Sequence, residues 1–327
     1  MVFLYILLLG SIAWAHAPLE SVNRVFDLGF LGAFYVLFVT SGTNRIQDWW
    51  RALVLYSLFV TVLTVVYSVI GYQFGDAVTQ NTVSRFTIAS IPILTFAAGD
   101  ADRRKFRAGL LSCAGLNSLL VVTLRSRSGF IALCVVLSLL GLYGGKLLHD
   151  RSISFGPSIA VGLLIGMLGT ILYLSTVVEL LEQFPRSLSA VTPEMIGVDR
   201  YTMYSLVIDV LRDNWVFGIG YGSFPVVMAE VHRKGFIIHG FILRLWVGAG
   251  ILAVILILYV ILCAIRGYTV KSSENAYQSS ADKREIALCI ALCGFITIGL
   301  FNPVFTNPLF VLLLALGTGT FKDFKAG

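Results

Sequence analysis

Apolar residues fall in long runs, broken by short clusters of charge, glycine and proline. The runs cover roughly 1–15, 25–39, 50–70, 86–98, 106–124, 128–143, 155–178, 236–265, 286–300 and 304–319. None alternates as a barrel wall does. A backbone inside hydrocarbon must satisfy its own hydrogen bonds, so each run predicts a helix. About ten spans follow, several shorter than the ~20 residues that a perpendicular crossing needs, which predicts tilted, broken or partly buried helices. The first run ends in Ala15-His16-Ala17, small residues like those of a signal-peptidase site. No positive segment precedes it, so it reads as an uncleaved first helix. With no repeat and no long linker, residues 1–327 read as one all-α integral-membrane domain, and 179–235 as one large outer loop packed on the membrane face.

The polar interruptions orient the chain. With the N-terminus inside, the inner loops carry Arg45 and Arg51, then Arg103, Arg104, Lys105 and Arg107, then Lys146 and Arg151, then Arg266, Lys271, Lys283 and Arg284, then Lys322 and Lys325. These hold six of the seven lysines, the asymmetry that the positive-inside rule expects. Composition agrees: 57% of residues are hydrophobic and 13% charged, with mean hydropathy +0.86, which excludes an ordinary soluble domain. The net charge of +6 carries no nucleic-acid implication, because what matters is the side on which each charge lies. Cys113, Cys134, Cys263, Cys289 and Cys293 all sit within apolar runs and read as small lipid- or core-facing residues.

The arginines depart from this pattern. Arg24, Arg85, Arg125, Arg127, Arg186, Arg200, Arg212, Arg233 and Arg244 fall on or near the outer side, beside the single lysine Lys234. A guanidinium is a planar, permanently charged fork that grips phosphate bidentately, whereas an ammonium is a point charge. An outward cluster at membrane level suits a lipid-linked phosphate or pyrophosphate. Snorkelling to lipid headgroups is the competing reading for part of the set.

Arg125-Ser126-Arg127-Ser128-Gly129 joins two apolar runs with almost no loop, so both arginines stand near the outer boundary. They serve there either as interfacial anchors or as anion ligands. Further on, Asp199 can cap a helix with a polar stripe of Thr202, Ser205, Asp209 and Arg212 and an apolar face of Met203, Leu206, Val207, Val210 and Leu211. Arg200 falls in its first turn, where free backbone amides also attract anions; a structural salt bridge is the alternative. Gly218-Ile219-Gly220-Tyr221-Gly222-Ser223-Phe224 follows no strand, so it reads as a tight turn back into the membrane and not as a nucleotide fingerprint. His239 falls near the outer end of the long run 236–265, with Arg244 five residues, or roughly 7.5 Å, further in. An imidazole there is a candidate general base or a hydrogen-bonded structural histidine. His232 ranks second to it.

No HExxH, P-loop, nucleophile elbow or metal-binding His/Cys cluster occurs in the chain. Asp100-Ala101-Asp102 has the DxD spacing of metal-dependent sugar-nucleotide transferases but lies in the basic inner loop, where it reads as solvated charge. A mechanism without metal or cofactor is the expectation.

Ser126-Arg127 opening one helix, Arg200 opening an outer segment that leads to GIGYGSF, and His239 followed by LRLWVGAGILAV together resemble the O-antigen ligase and polymerase superfamily of bacterial envelope assembly. The match covers residues 106–265 and, in character, the flanking helices. The resemblance implies a multi-pass inner-membrane transferase with a periplasmic site. Such an enzyme moves a glycan from undecaprenyl pyrophosphate to a sugar hydroxyl without metal. By position, Arg127 and Arg200 would hold the pyrophosphate and His239 would be the base; on the residues themselves, Arg125 joins the pyrophosphate set, and Arg244 and His232 are secondary candidates. The implied partners are the lipid-linked donor, a lipid-linked or lipid A core acceptor, membrane lipids and a polysaccharide chain-length regulator. A polymerase of a surface polysaccharide is the first expectation and a ligase the second. A transporter of the same lipid and a non-catalytic assembly partner are expectations of other classes.

Overall fold

The computed structural model describes residues 2–40, 45–70, 80–124, 126–149, 200–232, 238, 240–274, 280–300 and 307–326, all helix or short turn, with no strand among them. Helix α1 (Val2–Gly10) continues as a 3₁₀ turn (Ser11–Trp14) and is followed by α2 (Pro18–Thr40) and α3 (Arg45–Ile70). Next come α4 (Gln80–Asp100), α5 (Arg104–Thr123) and α6 (Arg127–His149). The chain resumes with α7 (Arg200–Asn214), α8 (Phe224–His232), α9 (Phe241–Glu274), α10 (Ser280–Gly299) and α11 (Pro308–Ala326).

Three of the described helices are long and apolar enough to cross a membrane: Trp49–Ser68, Arg104–Thr123 and Phe241–Tyr268. Phe3–Trp14, Ser128–Gly141 and Pro308–Thr318 are apolar but shorter. The run at 155–178 lies outside the described residues. Exposed apolar stripes at helical spacing support the membrane assignment. Leu55, Phe59, Val62 and Val66 line α3, and Leu252, Ile255, Tyr259 and Leu262 line α9, contiguous surfaces suited to hydrocarbon.

Small and branched side chains fill the interior. Ile88, Ile91 and Leu94 of α4 meet Ala287, Ala291 and Phe295 of α10 and Ala132 and Val136 of α6 in one buried cluster. Gly294 lets α10 approach closely, since a Cβ there would come within 2.9 Å of both Ile88 and Val136. A polar seam also runs between α3, α4 and α5. The Asn117 amide donates to Thr61 Oγ1 and Ser90 Oγ, each at 2.9 Å, and the Thr64 and Thr87 hydroxyls pair at 2.9 Å. In hydrocarbon such interhelical bonds contribute roughly 0.6–2 kcal/mol each.

A chain of contacts fixes which helix ends lie together. Arg284, near the start of α10, donates to Asp100 at the end of α4 at 3.2 Å and lies over the Trp50 ring of α3 at 5.7 Å. At its other end α10 reaches Leu300, whose carbonyl faces Gly240 at the entrance to α9. Because α4 and α10 are antiparallel, Ser84 and Arg85 stand at the Gly240 end. Ser84 packs on Gly129, so the start of α6 stands there too.

Two expectations are corrected. The helix expected from residue 236 begins at Phe241, because Gly240 has φ +105°, outside the helical region. Asp100, expected as solvated charge, is half-buried and paired with Arg284, which ties two helices together at the basic end, whereas Asp102 is exposed as expected.

Candidate functional site

The glycine-rich turn is wedged between the α1–α2 corner and the start of α9. On the first side, Trp14 Nε1 donates to the Phe217 carbonyl at 2.9 Å and the His16 amide to the Ile219 carbonyl at 3.1 Å. The Tyr221 amide donates to Ser11 Oγ at 3.2 Å, the Ala17 amide to Ser223 Oγ at 3.2 Å, and the Ser21 and Ser223 hydroxyls pair at 3.0 Å. Buried backbone needs such partners. Gly220 is required at the closest approach, where φ is +94° and a Cβ would run into Ala15.

On the second side the turn closes a break in α9. Gly250 adopts φ 79° and ψ −177° inside the helix, a conformation essentially confined to glycine. Val247 C=O and Ile251 N–H would bond each other in a continuous helix. Here Val247 accepts from the Ile219 amide at 2.8 Å, and Ile251 donates to the Trp215 carbonyl at 3.1 Å. Trp246 Nε1 donates to the same carbonyl at 3.0 Å. The amphipathic helix α7 packs beside this junction, with faces as expected: Val207 and Leu211 are buried, whereas Asp209 and Arg212 are exposed.

Under the turn lies a pocket of about 90 Å³, lined by Arg24, Gly220, Gly222, Phe224, Pro225, Ile238, Arg244, Val247 and Gly248. Arg244 sits over the ring of the buried Tyr221, 5.4 Å from its centroid. Arg24, on α2, is held through Nε by Glu20 Oε1 at 2.8 Å. Sequence reasoning counted Arg24 and Arg85 among the outer arginines but singled out neither. Two hundred residues separate Arg24 from the turn it faces, so only the fold pairs them.

The expected site residues fall as follows. Arg127 opens α6, where Ser126 caps the helix: its Oγ accepts from the Gly129 amide at 3.1 Å. Arg200 opens α7, as expected, and His232 closes α8. Arg244 lies in the first turn of α9 and lines the pocket. His239, Arg125 and the Asp199 cap lie outside the described residues. His232 and Arg244 belong to different elements, because α8 ends at His232 and α9 begins at Phe241. The start of α6, the entrance to α9 and the pocket share one end of the bundle.

A wider groove of about 610 Å³ opens beside α7. Val207, Ile208, Leu211, Trp215, Leu243 and Trp246 line it, and Arg212 stands at its rim. Its wall is almost wholly apolar, so it can take hydrocarbon next to a cation.

No protein-family model matches the chain, nor does any curated protein or solved structure. The described residues define a class: an all-α membrane protein with arginine-bearing helix ends at the same end of the bundle as a glycine turn.

Proposed function

We propose that the chain is a metal-independent glycosyltransferase of a bacterial inner membrane, of the O-antigen polymerase and ligase type, with about ten spans and its site facing the periplasm. The observation that carries this reading is the gathering of arginine-bearing helix ends at the glycine-turn end of the bundle, while Asp100, Arg284 and Trp50 mark the other end. The donor is an undecaprenyl-pyrophosphate-linked glycan. Arg127 and Arg200, with Arg125, hold its pyrophosphate, and Arg244 and His232 are secondary. The apolar groove with Arg212 at its rim offers the polyprenyl tail a path beside the site.

In the reaction, His239 takes the proton from the acceptor hydroxyl as its oxygen attacks the anomeric carbon. The bond from that carbon to the pyrophosphate oxygen breaks, and undecaprenyl pyrophosphate leaves with the electron pair. Attack from the opposite face inverts the anomeric centre. Fixed guanidinium charge at the leaving group, where negative charge builds, supplies the larger share of the rate enhancement. The base supplies roughly 10²–10⁴-fold. A lipid-linked repeat unit as acceptor makes the enzyme a polymerase, and lipid A core makes it a ligase; the polymerase is the first reading.

The test is transfer of labelled lipid-linked glycan by purified protein in proteoliposomes. Arg127→Lys and Arg200→Lys are expected to lose most activity, because lysine cannot reproduce the bidentate fork. His239→Ala is expected to fall by at least about 100-fold; full activity in that variant removes the base assignment. The break in α9 favours one competing reading, since discontinuous helices also build transporter sites. Movement of labelled lipid across the bilayer without bond formation would establish it.

A further inference from the structure

We infer that Arg24 and Arg244 form an oxyanion-binding site under the glycine turn, sized for a single phosphate group. This goes beyond the transfer reading, in which Arg244 was only a secondary pyrophosphate contact and Arg24 had no role, and it stands whether or not the chain transfers sugars.

The geometry is that of a prepared site. Arg244 rises from the first turn of α9 and spreads over the ring of Tyr221, which is 2% exposed and whose amide is tied to Ser11 Oγ. A cation on an aromatic face is attracted to it and oriented by it. Among the described residues, no carboxylate lies within ion-pair distance of Arg244. Arg24 faces the same pocket from α2. Glu20 engages its Nε, which fixes the guanidinium plane and leaves its two terminal nitrogens for a ligand. Among the described residues, two arginines less one glutamate leave a net charge of +1 around the pocket.

The cavity's size sets the ligand class. About 90 Å³ holds several waters or one tetrahedral oxyanion, but not a sugar. Among the described residues, the walls other than the arginines are glycine, proline and apolar side chains, with no acidic group lining the pocket. Each guanidinium can grip an oxyanion bidentately, and a tetrahedral anion has oxygens enough to meet both arginines of the recess at once. A phosphate monoester or diester fits, whether free or borne on a lipid headgroup.

The experiment uses the full chain purified in a maltoside detergent free of phosphate. Inorganic phosphate is titrated by calorimetry, and native mass spectrometry follows retention of added phosphatidylglycerol. The variants are Arg24→Gln, Arg244→Gln, Arg244→Lys, and Lys283→Gln as a control at the opposite end. Wild type is expected to bind one of the two probes. Each Gln variant is expected to weaken that binding by about tenfold or more, as loss of a charge-assisted donor group implies, with Arg244→Lys between them and Lys283→Gln unchanged. Phosphate binding marks a free anion as the ligand, and retention of the lipid alone marks a headgroup. If Arg244→Gln does not fold, Arg24→Gln decides, because Arg24 lies half-exposed and, among the described residues, bonds within its own helix. Absence of binding by wild type to either probe, or binding unaffected by Arg24→Gln, overturns the proposal. Glycan transfer is measured separately, so loss of transfer with intact phosphate binding counts against the enzymatic reading alone.

Discussion

The amide of Ile219 donates to the carbonyl of Val247 at 2.8 Å, so a loop residue occupies the acceptor that a continuous helix would give to Ile251. The loop in effect replaces one helical hydrogen bond where Ile219 and Val247 are both buried and unsatisfied backbone is costly. Everything around the pocket depends on that exchange, since it fixes Gly220 and Tyr221 over Arg24 and Arg244.

Gly250 is therefore the position least able to change. A Cβ there would collide with the Val216 carbonyl, and φ of 79° with ψ of −177° is strained for any L residue. Gly250→Ala is expected to cost about 1–3 kcal/mol from backbone strain alone, and more from the clash. Thermal denaturation in detergent should show a fall of several degrees or no folded protein. A wild-type melting temperature would mean that α9 can run straight through this point.

The Ser21–Ser223 pair joins the turn to α2 at 3.0 Å between hydroxyl oxygens. Ser223→Ala removes that bond and the acceptor for the Ala17 amide, leaving the buried Ser21 hydroxyl and the part-buried Ala17 amide without that partner, at a cost of about 1–3 kcal/mol. Ser21→Ala leaves the Ala17 amide satisfied and is expected to cost less. The ordering of the two melting temperatures is the check; the reverse order would mean that Ser223 does not bridge the two segments.

Much of this architecture was legible in the residues. Periodicity located α7 and its buried face at Val207 and Leu211, because an amphipathic helix repeats its apolar face every three to four positions. The charge pattern sorted the helix ends, and the contacts of Arg284 with Asp100 and Trp50 agree with that sorting. The break in α9 was not legible: Gly248-Ala249-Gly250 sits in an unbroken apolar run, and an isolated glycine in a helical pattern is usually tolerated. Nor was Arg24's place in the pocket, which depends on tertiary contacts between residues about two hundred apart. Asp100 was misread because a local charge cluster says nothing of a partner on a distant helix.

That partner gives a third prediction. Asp100 and Arg284 are each about one-fifth exposed, between a surface pair, worth roughly 0–1 kcal/mol, and a buried one. A double-mutant cycle with Asp100→Asn and Arg284→Gln is expected to give a coupling of about 1 kcal/mol. Arg284→Lys is expected to recover little, since it gives up the planar group that lies over Trp50. Strictly additive losses would show that the two side chains do not meet in the membrane-embedded protein.

The two ends of the bundle should also face opposite sides of a membrane. Asp102 is exposed beside the Asp100–Arg284 bridge, and Glu230 is exposed on α8 at the glycine-turn end. In a variant with all five cysteines replaced, a single cysteine at either position should react with a membrane-impermeant maleimide from one side only. The lysine asymmetry predicts a cytosolic Asp102, so intact cells should label Asp102→Cys only after permeabilisation. Glu230→Cys should label beforehand, given access through any outer membrane. The reverse order would turn the molecule over and put the arginine pocket inside the cell, where a periplasmic glycan could not reach it. Labelling of both from one side would mean that the helices between them do not cross the bilayer as a set, and would remove the membrane geometry on which the function rests.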